Sequence, residues 1–219
     1  MIRVMRGEEP AGLAEVRASG LEAARRAIRA GEPPELDGYQ VAKVPLWQSQ
    51  HMKCCWCEDK LGHEHQDVEH YRPKRPYWWL TWTWENLLFA CAACNRSHKG
   101  RAFPLEPGSS RLPPEEQPPG RELPVILDPA VEDPEEHISF RCICGHWIPV
   151  ARDGSRRGAE TIRILGLDRM ELMRRYDEHA GRIARTLERT QPARRAEEIE
   201  DLCDATALFS ALTRAVLAR

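Results

Sequence analysis

The chain has 219 residues, 42% of them hydrophobic and 30% charged, and a formal net charge of −2. This is long enough for one sizeable core and ordinary for a globular protein, and the balance of charge excludes a polyanion binder built on overall basicity. No apolar run is long enough to span a bilayer, so no membrane association is expected, and MIRVMRGEEPAG lacks the apolar stretch of an export signal.

A cytoplasmic location with reduced thiols is therefore expected, and paired cysteines read as metal ligands rather than disulfides. From about Pro10 to Ala30 the chain is rich in Ala, Leu, Glu and Arg and predicts a helix, with Leu13, Val16, Leu21, Ala24 and Ile28 as its apolar stripe. Gly31 and the Pro33-Pro34 pair stop it. A second short helix is predicted over 39–50. Two Cys-x-x-Cys pairs follow, Cys54 with Cys57 and Cys91 with Cys94. Between them, 66–71 predicts a short strand and 86–89 a second extended piece, and 94–100 predicts a helix ended by Gly100. Six of the seven tryptophans lie between Trp47 and Trp84, and the run from Tyr77 to Trp84 reads as core and interface rather than as a base-stacking platform. The nine prolines of 104–134 forbid a long helix and predict an extended wrap. From His137 the alternation predicts a hairpin turning near Cys144, Gly145 and His146, with buried thiols. The rest reads helical from about Gly158, broken near Pro192, with Cys203 in the core.

Four thiolates in two short loops can close a tetrahedral zinc site and hold the residues between them in fixed geometry. The bland alternative, four unconnected buried thiols, is disfavoured by the spacing. Glu69-His70 lies inside the stapled region. A neutral imidazole can take a proton from water while a neighbouring oxygen ligand holds Mg²⁺ or Mn²⁺. Adjacent strand residues point to opposite faces, so a bulge at Glu69-His70 is expected if both are to aim at one phosphate. Asn86 can donate and accept across a loop and so brace the backbone carrying His70. Asn95 and His98 follow the second cysteine pair, and either can complete the metal site, His98 being chemically the better ligand. Arg72, Lys74, Arg75, Arg96, Lys99 and Arg101 flank the region and form a candidate phosphate track. His63 and His65 read as exposed loop histidines, and Cys142, Cys144 and His146 as only half of a zinc site.

The series CCWCE, VEHYRPK, YWWLTWTWENLL and CAACNRSHKG followed by RAFPL resembles the HNH (ββα-metal) endonucleases. More narrowly it is similar to the PtuB-like nuclease subunits of Septu-type anti-phage systems, some of them retron-associated. The strong part of the match covers Cys54 to Leu105, with LDP at 127–129 and TIRILGLDR from Thr161 fitting more loosely. The resemblance implies that His70 is the general base, Glu69 a catalytic-metal ligand and Asn86 the central asparagine. Many HNH proteins carry His directly after the last cysteine, where this chain has Asn95, and His98 is the substitute one turn on. The resemblance also implies an ABC/SMC-like ATPase partner and a DNA substrate, with RNA as the alternative. The expected architecture is mainly α, with a small zinc-stapled HNH unit (51–105) between an N-terminal helical segment (1–50) and a Pro-rich linker (106–136), and a hairpin with C-terminal helices (137–219). The rival reading is a catalytically inactive zinc-stapled adaptor or nucleic-acid-binding module.

Overall fold

In the computed structural model, which describes residues 1–218, the chain is mainly helical with two separate two-stranded antiparallel sheets. The first helix, α1 (Ala11–Arg29), buries Leu13 and Ala24. Ile28 leaves the expected stripe: it is 40% exposed, on the last turn. A connecting stretch then reaches Gly38, whose left-handed backbone (φ 85°) starts a 3₁₀ turn, Tyr39–Ala42, leading straight into α2 (Lys43–Ser49). The single helix expected over 39–50 is thus two short ones.

Strands β1 (Asp67–His70) and β2 (Leu87–Ala90) pair antiparallel, His70 opposite Leu87 and Asp67 opposite Ala90. β2 is buried throughout, as its unbroken apolar run requires. Its outer edge is satisfied by a side chain: Gln50 Oε1 accepts from Phe89 N (2.9 Å) and Gln50 Nε2 donates to Phe89 O (3.0 Å). After β2 comes a seven-residue π-helical segment, Ala93–Lys99, in place of an ordinary α-helix. π geometry is rare and concentrates at functional sites.

The tryptophans staple loops onto this unit. Trp82 Nε1 donates to Asp37 O (2.7 Å), Trp79 Nε1 to Glu116 O (2.7 Å) and Trp84 Nε1 to Gly7 O (3.1 Å). Trp79, Trp82 and Trp84 are buried, which meets the need of a small unit for large apolar side chains with a polar handle. The Pro-rich stretch wraps behind the site, with Leu105 bridged to Pro124 and Val125 N donating to Pro104 O (2.9 Å).

The C-terminal part begins with the hairpin β3 (Ile138–Ile143) and β4 (His146–Ala151). Its tip differs from expectation, because Cys144 is exposed and Cys142 only half-buried. Helices α3 (Arg156–Leu165), α4 (Met170–Arg189), α5 (Arg195–Cys203) and α6 (Ser210–Leu217) follow. Cys203 is half-buried, at the end of a helix with no fully buried residue. One hydrophobic cluster joins the cysteine loops to Leu165, Leu172, Tyr176 and Leu212. Polar ties reinforce it: buried Lys53 donates from Nζ to Ala207 O (2.9 Å) and to Ser210 Oγ (3.2 Å). The C-terminal helices therefore close over the first cysteine loop.

Candidate metal centre and catalytic cleft

Cys54, Cys57, Cys91 and Cys94 are all buried, and their sulfurs lie within 4.8 Å of one another, the only group of three or more potential metal ligands so placed among the described residues. Cys57 Sγ and Cys91 Sγ are 3.9 Å apart. A tetrahedral ion with Zn–S bonds of about 2.3 Å sets its sulfurs roughly 3.8 Å apart, so the donor set fits a zinc-sized ion. Burial pushes the Cys54 thiol well up, while hydrogen bonds from Cys54, Cys57 and Cys94 push Cys91 down as the shared acceptor. A divalent ion would compensate four thiolates in this buried setting. The Cys94 amide donates to Cys91 Sγ (3.3 Å), and Arg169 Nη1 lies 3.5 Å from Cys94 Sγ. Cys55 N donates to Phe89 O (3.0 Å). The cluster is thereby tied to β2 and to the junction of α3 and α4.

Beside it opens a cleft of about 380 Å³ lined by Tyr39, Val68, Glu69, His70, Pro73, Lys74, Arg75, Asn95, Gly100 and Arg101. The β1–β2 ladder is regular through His70, so the expected bulge is absent. His70 ends the strand, and both Glu69 and His70 line the cleft without a bulge. His70 Nε2 lies 2.9 Å from Thr81 O. A carbonyl only accepts, so Nε2 carries the proton and Nδ1 keeps the lone pair. Burial lowers the His70 pKa to about 3, which keeps the ring neutral. Glu69 is buried, and burial raises its pKa against the opposing pull of Lys99, whose Nζ is 2.5 Å from Glu69 Oε1. Lys99 also donates to His70 O (3.0 Å).

Asn86 is 1% exposed and bridges the loop between His70 and Thr81. Its Oδ1 accepts from Arg72 N (2.8 Å), and its Nδ2 donates to Arg72 O (3.0 Å) and Leu80 O (3.1 Å). Asn95 lines the cleft and donates to Asp67 Oδ2 (3.1 Å). His98 does not join them. It lies in a separate cleft with Ser97, Phe103 and Arg163, packed so tightly on Gly166 that a Cβ there would come within 2.2 Å of Nδ1. Gly166 is the left-handed cap of α3, and its lack of a side chain makes room for the imidazole.

The six candidate phosphate contacts divide. Arg75 and Arg101 line the cleft, exposed and without ion pairs among the described residues. Lys74 also lines it, tied to Tyr39 OH (2.9 Å) and Leu36 O (3.3 Å). Arg96 is exposed but bound bidentately to Asp67. Arg72 and Lys99 are not free: Arg72 Nε pairs with buried Glu122 (2.6 Å) and Lys99 with Glu69, both cations being buried.

No family model matches the chain. Over 210 residues it is 31% identical to the Septu protein PtuB of Bacillus mycoides (strain KBAB4), an alignment that covers 86% of this chain and 68% of that protein. The chain belongs to the PtuB family. In this family member, four participants carry no signal in the cysteine and HNH spacing. Arg169 is visible only as the end of the looser TIRILGLDR match, whereas Tyr39, Asp67 and Glu122 become visible only once folding brings them to the site.

Proposed function

We propose that this PtuB-family chain is the effector nuclease of an anti-phage defence complex and hydrolyses phosphodiester bonds, DNA being the preferred substrate class. The observation that carries the reading is the His70 ring, pinned through Nε2 by the Thr81 carbonyl at the wall of a cleft that also holds Glu69 and Asn95. The β1–β2 pair followed by the 93–99 helix supports a ββα-metal unit, with zinc on the four cysteines as its staple. His70 Nδ1 takes the proton of the attacking water. Asn86 fixes the loop that carries the Thr81 carbonyl. Glu69 and Asn95 would hold Mg²⁺ or Mn²⁺, and two protein donors suit an ion that keeps its waters and takes phosphate oxygens. When bound, that ion would supply stabilisation of charge on the phosphate.

In this conformation Lys99 already compensates the Glu69 carboxylate, and burial holds His70 far below the range of an efficient base. Entry of an anionic phosphate opposes the lowering effect of Lys74 and Lys99 on His70. A nuclease that a partner must license would rest in such a state, with an ABC/SMC-like ATPase as the licensing partner and the cytoplasm as the site of action. No helix among the described residues is long and apolar enough to cross a membrane. The test is phage challenge of cells carrying the chain together with the proposed ATPase partner. His70→Ala should lose protection while the protein accumulates normally. Full protection by His70→Ala would leave the adaptor reading in place.

A further inference from the structure

Beside the His70 cleft lies a second opening, lined by Tyr39, Gln40, Lys43, Gln66, Asp67, Val68, Asn95 and Arg96. The two openings share Tyr39, Val68 and Asn95, so they form one trough running past Glu69 and His70. One bank carries Arg75 and Arg101. The other is supplied by the 3₁₀ turn and the start of α2, well before the first cysteine. Tyr39 is the hinge of this arrangement. Its ring meets the edge of His70 with centroids 4.5 Å apart, and Lys74 Nζ sits 4.4 Å from its centroid. Next to it, Gln40 is exposed and Lys43 half-buried.

Some cations of this trough are left without carboxylate partners. Among the described residues, Lys43 on one bank and Arg75 and Arg101 on the other make no ion pair, whereas Arg72, Arg96 and Lys99 of the same region are all neutralised by carboxylates. Unpaired cations on both sides of a trough attract a polyanion and leave its phosphates as their only strong partners. The first opening, at about 380 Å³, is near the low end of the roughly 300–1,000 Å³ of small-ligand sites. It suits a short stretch of one strand rather than a whole duplex.

Resting on the nuclease reading above, we propose that Tyr39, Gln40 and Lys43 form the second bank of a polynucleotide groove, so that one strand crosses the His70 cleft between them and Arg75 and Arg101. Lys43 neutralises a phosphate, Gln40 hydrogen-bonds the backbone, and Tyr39 offers its ring to the sugar or base beside the scissile bond. The segment before the zinc-stapled unit is then part of the substrate site and not only a helical cap.

The experiment measures binding of a labelled single-stranded oligonucleotide to full-length His70→Ala protein across a salt series. Lys43→Gln, Arg75→Gln and the remote control Arg194→Gln are each added to that background. Lys43 is half-buried and Arg75 exposed, and a melting curve establishes that each variant is folded before its binding is read. Lys43→Gln is expected to weaken binding several-fold and to reduce the salt slope by about 0.7, as Arg75→Gln does, with Arg194→Gln unchanged. An unchanged slope for Lys43→Gln beside a reduced one for Arg75→Gln would overturn the second bank and leave the nuclease reading intact. Absence of binding by every version would overturn both. If binding and the Lys43 effect hold but the unaltered chain never cuts, the groove stands and the nuclease reading falls.

Discussion

Replacing Asn86 by alanine removes one side chain and three hydrogen bonds at once. The partners left behind are Arg72 N, Arg72 O and Leu80 O, in a setting where Asn86 itself is 1% exposed. A typical bond contributes about 1 kcal/mol net, and a buried group left without a partner costs about 1–3 kcal/mol. Asn86→Ala should therefore destabilise the fold by about 3 kcal/mol or somewhat more. Urea unfolding followed by tryptophan fluorescence, with zinc in equal excess for both proteins, reads this directly. With a slope of about 2–3 kcal/mol/M, the midpoint falls by about 1–1.5 M. The same change frees the Leu80–Thr81 backbone that pins His70. Misplacement of a base by about 1 Å can cost about 10²-fold in rate, so cleavage should drop steeply even below the midpoint. A stability loss under about 1 kcal/mol would refute the idea that this amide bridge holds the loop that pins His70.

Three other outcomes follow from the same geometry. Arg72→Ala strands buried Glu122 and should cost about 3–5 kcal/mol of stability, while leaving the salt slope of oligonucleotide binding unchanged; a shallower slope would return Arg72 to the phosphate track. The His70 pKa is lowered from 6.5 to about 3 on folding, so below pH 6.5 the unfolded chain binds the extra proton and stability falls as pH falls through that window. The stability advantage of the unaltered chain over His70→Gln should accordingly shrink by up to about 1.4 kcal/mol per pH unit there, and a pH-independent difference between the two melting curves would contradict the burial argument. Metal analysis should find one zinc per chain. Cys91→Ser or a strong chelator should remove both zinc and cooperative unfolding, and a chelated protein with an unaltered melt would show the four sulfurs to be packing only.

Much of the site was legible because its chemistry is local in sequence. Cysteine pairs at fixed spacing announce a shared ion, and the sulfurs do converge. Both strands of the central pair were legible to within a residue, the second from the apolar run that follows Asn86. What escaped depends on contacts far apart in the chain. His98 looked like a ligand by type and distance from Cys94, but the wide π-helical turn directs it to Gly166, and Asn95 reaches the cleft instead. Arg72 and Lys99 looked like free cations because Glu122 lies fifty residues from Arg72 and Lys99 lies thirty from Glu69 in sequence. The exposed hairpin cysteine at 144 followed from a strand alternation that ends at the turn, where no core remains to bury it.

The most direct test of the central claim is nicking of supercoiled plasmid by purified chain with Mg²⁺ or Mn²⁺, alone and with the proposed ATPase partner, the unaltered protein beside His70→Ala of equal zinc content. The account predicts metal-dependent nicking by the unaltered protein and none by His70→Ala. Equal nicking by both, or silence from the unaltered protein even with the proposed ATPase partner present, would contradict it.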